Sequence, residues 1–484
     1  MDKKIIKNYV LNMLREVFVV LLPLAVVPYV SRIMSAEEIG VYNYSLNVVS
    51  YFTIAAELGF QFLGKKEIAK VSTKAERSDV FLKIFLIRII FGCIINTIYF
   101  AVVPNIVGSK DVYILQGINL IAIPFEISWY YIGVEDFKRI TARSIFYKIF
   151  NLILIFFCVR GENILLKYIV CMGLPNVFGN LLMFYKLDIS WKIPKITLAE
   201  IKKYMIAAVV LLIPSLLKSL YTIIDKTILG RLSTMEEVGY YAQTFKLLNV
   251  LIAIVYSIGT VSFARLVMSY HQENYNNVRK LMKEIVTFVL HIGFPIIMGL
   301  FCVSDVFVSW FYGEKYFVLN TLLPIASPLL ILTALNNVLC SQYLIAINRE
   351  KVLIKITLIG VIVNLIFDLF LIPELGAEGA IIASMISEGT VLGVSGTYYR
   401  KTMKGTLLEL ENLKCIMSSF AMMFVLMYIK KFLIINDIGL TFILIGIGII
   451  VYFLMEILLR DLWCISLLQK IVHVMKKKFQ SNSI

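Results

Sequence analysis

The chain is poor in groups that do chemistry. Only 16% of its 484 residues are charged, and three are histidines. Beside 60% hydrophobic residues and a mean hydropathy of +0.84, so low a charge density excludes a soluble globular chain. His271, His291 and His473 are far apart and share no ligand spacing with the cysteines, so neither a metal centre nor a cofactor is expected. Cys93, Cys158, Cys171, Cys302, Cys340, Cys415 and Cys464 lack any CxxC pair and lie in apolar runs, as inert filler without a disulfide framework. The stretch Gly59-Phe-Gln-Phe-Leu-Gly-Lys65-Lys66 nearly spells a phosphate-binding loop, but Lys66 stands where a hydroxyl must hold magnesium. No polar gap is long enough for a catalytic domain, and the chain is not expected to be an enzyme.

What fills the chain instead is about fourteen apolar runs, each near the twenty residues that cross a bilayer as a helix. Six lie near Leu11–Met34, Ile39–Leu63, Val80–Val103, Val112–Val134, Ser144–Val159 and Ile164–Leu187. Six more lie near Tyr204–Asp225, Val238–Phe263, Ile285–Val303, Val318–Ile347, Val352–Ile372 and Ala377–Tyr399, and a last pair near Leu413–Ile435 and Gly439–Leu459. The runs are continuously apolar where barrel strands would alternate, so the expected fold is all-α and polytopic. Most of the 47 Lys and Arg fall in alternate gaps, led by Lys65, Lys66, Lys70, Lys74, Arg77 and Lys83. Basic gaps stay inside, which puts both termini in the cytoplasm and the protein in the cytoplasmic (inner) membrane. The formal charge of +15 then reports topology and attraction to membrane lipids, not nucleic acid. Lys3, Lys4 and Lys7 imitate a signal peptide, yet no cleavage pattern follows, and the first span is expected to be retained.

An internal repeat organises the runs. Arg32-Ile-Met-Ser-Ala-Glu-Glu-Ile-Gly-Val-Tyr42 aligns without a gap on Arg231-Leu-Ser-Thr-Met-Glu-Glu-Val-Gly-Tyr-Tyr241, with Arg, both Glu, Gly and Tyr coinciding. One copy joins the first two runs and the other joins the seventh and eighth, so the halves are parallel repeats. The expected organisation is a six-helix bundle over residues 1–195, a second over 196–405, two further helices over 406–460 and a basic tail over 461–484. Two such bundles enclose a cavity that opens to either side in turn, as a transporter requires.

The repeated segments, Asp225-Lys-Thr-Ile-Leu-Gly-Arg231 before the second of them, and Gly376-Ala-Glu-Gly-Ala-Ile-Ile-Ala383 resemble the Wzx-type polysaccharide flippases of the multidrug/oligosaccharidyl-lipid/polysaccharide exporter superfamily. The resemblance implies a flippase that carries an undecaprenyl-pyrophosphate-linked oligosaccharide repeat unit from the inner to the outer leaflet. It also implies a lipid-linked oligosaccharide as substrate, with a polysaccharide polymerase and export proteins as candidate partners. Two rivals belong to the same superfamily: a cation-coupled multidrug antiporter and a lipid-linked peptidoglycan-precursor flippase.

Ionisable side chains are costly in hydrocarbon, so those inside the runs map function. The basic set is Arg15, Arg32, Arg88, Lys218 and Lys246, candidate stations for a pyrophosphate head group. The acidic set is Glu57, Glu126, Asp225, Asp368 and Glu388, which either neutralise those bases or serve coupling and gating, with Glu57 and Arg15 as a candidate gating pair. Snorkelling to an interface is the plainer reading for Arg15 and Arg32, and helix pairing is the commoner role of buried carboxylates. Pro23, Pro28, Pro124, Pro175, Pro214, Pro295, Pro324 and Pro328 lie inside runs, where they free backbone groups and permit bends.

Overall fold

A computed structural model describes residues 24–106, 108–192, 194–403, 411–466 and 469, without the side chains of 213–222 and 257–261. It is helical throughout its regular structure, and ten of the described helices are long and apolar enough to cross a membrane. The chain forms two compact units, residues 1–242 and 243–484.

In the first unit, α1 (Leu24–Ile33) leads into α2 (Ala36–Glu57), whose start is written in the repeat. Ser35 accepts from the Glu38 amide while Glu38 reaches back to the Ser35 amide, which satisfies two of the donors a helix start leaves open. The helix ends where Leu58 and Gly59 take left-handed φ values of 38° and 76°. A Cβ at Gly59 would also press on α9 (Leu198–Leu232), 3.0 Å from the Leu212 amide. Beyond the break come α3 (Phe60–Lys70), α4 (Lys74–Ile106), α5 (Lys110–Ile121), α6 (Ser128–Gly133), α7 (Phe137–Cys158) and α8 (Ile164–Leu182). On α4, Ile90, Ile94 and Ile98 are exposed at four-residue spacing while Arg88, Gly92 and Tyr99 are buried, the inverted pattern of a lipid-facing helix. An aromatic core of Phe60, Phe81, Phe85, Trp129, Tyr130 and Tyr131 packs α3, α4 and α6 together, with Phe81 and Trp129 stacked at 5.3 Å.

The two repeat copies meet. At the start of α10 (Met235–His271), Gly239 lies against Gly40 so closely that neither position has room for a side chain. A Cβ on Gly40 would overlap the Met235 carbonyl, 2.6 Å from its carbon; one on Gly239 would overlap the Ala36 carbonyl, 2.8 Å from its carbon. The contact is reciprocal, and small residues at i and i+4 (Ala36, Gly40) are what lets membrane helices approach backbone to backbone. Asn47 of α2 adds a hydrogen bond to the Ile223 carbonyl of α9 at 2.8 Å.

The run Val112–Val134 is not one helix. It stops at Ile121, crosses an irregular segment through Pro124, and resumes at Ser128. In the second unit the run Val318–Ile347 is divided in the same way: α12 (Leu319–Ala326), containing Pro324, gives way at Pro328 to α13 (Leu329–Asn336) and a π-helical stretch, Asn337–Leu344. These two runs occupy corresponding places in the repeats, and each break contains a proline, Pro124 or Pro328, which lacks an N–H and clashes with the preceding turn. The second unit also contains α11 (Tyr275–Phe311), α14 (Glu350–Met403), α15 (Asn412–Lys430) and α16 (Asp437–Leu458). Within α14, Gly376 (φ 55°, ψ −128°) interrupts the helix between the two runs read there from sequence. Cys302, Val306, Met422, Leu426, Leu444 and Tyr452 pack α11, α15 and α16 into one core.

Candidate functional site

The break between α5 and α6 leaves backbone carbonyls inside the first unit, where each needs a partner. Arg88, fully buried on α4, supplies two of them: its guanidinium donates to the Glu126 carbonyl and, at 2.8 Å, to the Ile123 carbonyl. Asn180 of α8 donates to the Ala122 carbonyl at 2.7 Å. One turn beyond Arg88, Gly92 leaves space for the Pro124 ring; a Cβ there would lie 2.6 Å from Pro124 Cγ. An arginine and a glycine four residues apart on one helix thus form the cradle of the break.

Glu126, also buried, collects the polar groups around this cradle. Its carboxylate accepts from the Ser128 amide at 2.9 Å, from the Ser128 hydroxyl and from Gln61 at 3.3 Å. Arg88 lies 3.5 Å from one oxygen and Arg143 of α7 lies 3.9 Å from the other. Arg143 in turn donates to Asn180, so the α4, α7 and α8 contributions close into one network. Glu57, at the last residue of α2, is within electrostatic reach of both Arg88 and Glu126. The Arg88 side chain is sealed at 0% exposure, whereas Arg143 keeps 20% and is the open edge of the network.

The other expected positions are dispersed. Arg32 is exposed and donates to the Pro28 carbonyl of its own helix at 2.6 Å. Asp225 is buried on α9 and accepts from the Tyr241 hydroxyl at 2.6 Å. In the second unit Lys246 is half-buried on α10, Asp368 is fully buried on α14, and Glu388 accepts from Asn336, the last residue of α13. Arg15 lies outside the described residues, as does the Lys218 side chain, so the Glu57–Arg15 pair falls outside them too. Arg88, Glu126 and Glu57 are therefore the members brought together. Arg143, Gln61 and Asn180 complete the group without having stood out in the sequence; Arg143 reads there as one more basic residue of a cytoplasmic gap. A separate cavity of about 410 Å³ in the first unit is lined by Tyr44, Val48, Val103, Tyr113 and Arg231 among others and shares no residue with the network.

Helix runs interrupted beside prolines at matching places in the two repeats, the first of them around the buried Arg88–Glu126 pair, are the architecture of a polytopic membrane protein built by duplication. The fold agrees: a solved structure of the lipid II flippase MurJ in an inward-closed conformation superposes with a TM-score of 0.77 at 16% identity, over 94% of this chain and 99% of that one. The chain belongs to the polysaccharide biosynthesis protein family, whose model matches residues 5–269, and the lipid II flippase MurJ model matches residues 149–463. Among its relatives is the capsular polysaccharide biosynthesis protein CapF of Staphylococcus aureus, 24% identical over 82% of this chain and 99% of that protein. Another is a protein of Escherichia coli strain K12 whose given name is that of an O-antigen transporter, 24% identical over 75% of this chain and 90% of that protein.

Proposed function

We propose that the protein is a flippase that moves an undecaprenyl-pyrophosphate-linked oligosaccharide repeat unit from the inner to the outer leaflet of the cytoplasmic membrane by alternating access. The observation that carries the reading is the Arg88–Glu126–Arg143 network at a broken helix. It places two guanidinium groups inside a membrane domain, and one of them remains partly open. Arg88 acts through the break it holds, while Arg143 presents a planar donor fork suited to phosphate oxygens. Arg15, Arg32, Lys218 and Lys246 serve as further stations for the head group, and Glu57, Glu126, Asp225, Asp368 and Glu388 balance and gate them. Residues 1–195 and 196–405 are the two moving bundles, and 406–460 an added helix pair. Both termini face the cytoplasm, where the basic gaps are retained. Moving about two negative charges outward through an inside-negative potential releases roughly 4–5 kcal/mol per 100 mV, which biases flipping toward export.

Deleting the gene and quantifying lipid-linked repeat units on the cytoplasmic leaflet tests the reading. Accumulation there supports it; an unchanged pool with reduced dye efflux points instead to a multidrug antiporter. The MurJ match over residues 149–463 favours one second reading, a peptidoglycan-precursor flippase. Rescue of cells depleted of their own precursor flippase would establish that substrate in place of the repeat unit.

A further inference from the structure

The second unit also buries an ionisable group whose partners do not balance. His291 of α11, Glu456 of α16 and Asp461, three residues past the end of α16, are 1%, 0% and 2% exposed. His291 Nε2 lies 3.4 Å from an Asp461 oxygen and 3.7 Å from a Glu456 oxygen. The other ring nitrogen, Nδ1, is 2.8 Å from the Thr287 carbonyl, which can only accept, so Nδ1 carries the proton and Nε2 is the atom aimed at the carboxylates. Nε2 and both Glu456 oxygens make no hydrogen bond of good geometry among the described residues, and the buried Ser418 and Tyr452 hydroxyls beside Glu456 carry no charge to balance it. No Lys or Arg forms an ion pair with either carboxylate among them.

Two occupancies of that nitrogen fit poorly. As a lone pair it faces two anionic oxygens. As a second N–H it makes an imidazolium, but charge-assisted N–H···O bonds run about 2.7–2.9 Å, shorter than both separations, and one cation between two carboxylates leaves a net negative charge in a buried site. A divalent ion resolves both problems. Zinc binds imidazole nitrogen and carboxylate oxygen at about 2.0–2.2 Å, so two ligands of one tetrahedral ion sit about 3.4 Å apart. Two carboxylates and a neutral imidazole then sum to zero with the ion, as a low-dielectric site demands. The Thr287 carbonyl is the outer partner that fixes the tautomer of a ligating histidine. The Trp463 ring covers the imidazole at 4.6 Å between centroids, and the Cys464 amide holds the Asp461 carboxylate at 2.9 Å.

We infer that His291 Nε2, Glu456 and Asp461 bind one divalent transition-metal ion of the zinc class, clamping α16 and the turn after it onto α11. His291 precedes the two acidic ligands by 165 and 170 positions, and the ion ties α16 to α11 in the second unit.

The test uses tag-free, full-length protein in detergent, stripped with chelator, incubated with zinc chloride and desalted before elemental analysis. The expected result is about one zinc per chain, a rise in melting temperature with zinc, and visible ligand-field bands when cobalt(II) replaces it. In H291Q and E456Q the retained metal falls about tenfold or more, and zinc no longer shifts the melting temperature. Wild-type protein that retains no stoichiometric metal overturns the assignment, whatever the variants do. So does retention that is equal in wild type and both variants, because that metal is bound elsewhere.

Discussion

The reciprocal glycine crossing offers a sharp test of the packing. Replacing Gly40 by Ala places a methyl carbon 2.6 Å from the Met235 carbonyl carbon and 3.1 Å from the Gly239 amide. Non-bonded carbons rest at about 3.5–4.0 Å, so the two helix starts must separate by roughly 1 Å. The obstructing atoms are backbone and cannot rotate away. Overpacking of this kind costs about 1–3 kcal/mol. Gly239→Ala meets the Ala36 carbonyl carbon at 2.8 Å and belongs to the same range. One separation relieves both clashes, so the double variant should lose less than the sum of the singles, with a coupling of about 0.5–3 kcal/mol. Gly446→Ala on α16 is the control: nothing lies within 4 Å of its added Cβ, and helix propensity makes it neutral or slightly stabilising. Thermal melts of the detergent-solubilised proteins read all four variants. If Gly40→Ala melts with the Gly446→Ala control, or if the two glycine effects simply add, the close reciprocal contact is refuted.

Two further outcomes follow from the first unit. Arg88→Met strands the Ile123 and Glu126 carbonyls together with the Glu126 carboxylate, a loss of about 3–5 kcal/mol, seen as a reduced monodisperse fraction on size exclusion; pairing it with Glu126→Gln should recover part of that loss, and Arg88→Lys should not rescue it, since one ammonium cannot span both carbonyls. At the start of α9, hydrogen bonds from the Thr197 amide and then the Lys83 ammonium hold the Glu200 carboxyl down at about 2. Its contribution is therefore complete above the unfolded value of about 4.3 and vanishes as pH falls toward 2. Wild type and Glu200→Gln should differ in melting temperature at neutral pH and converge in acid.

Much of the fold is legible in hydropathy, because a membrane leaves helices as the available answer for long apolar runs. Ile164–Leu187 was expected and Ile164–Leu182 is found; Val238–Phe263 lies inside Met235–His271. The broken run at 112–134 was not legible as broken, since its side chains are as apolar as those of its neighbours and hydropathy does not register backbone geometry. Pro124 was the available signal, and its meaning depended on Arg88 and Gly92 arriving from another helix. The candidate site divides likewise. Arg88 stood out because a charge in hydrocarbon is expensive, but which carbonyls it serves is a three-dimensional fact. Arg143 looked like loop charge, and His291 had no partner within reach of any spacing rule, since Glu456 and Asp461 follow it only after α12 to α15.

The pairing of Gly40 with Gly239 has a consequence for how such a chain is built. Surfaces that contact each other in the same way from both sides are the hallmark of a homodimer, and here that geometry is carried inside a single polypeptide. In a symmetric pair of half-length chains, one mutation would strike the crossing twice; after fusion it strikes once, so each copy is free to diverge while its counterpart holds the helices together. Ser35 against Thr234 and Ile39 against Val238 show the drift this permits, while the two glycines at the crossing are the same in both copies.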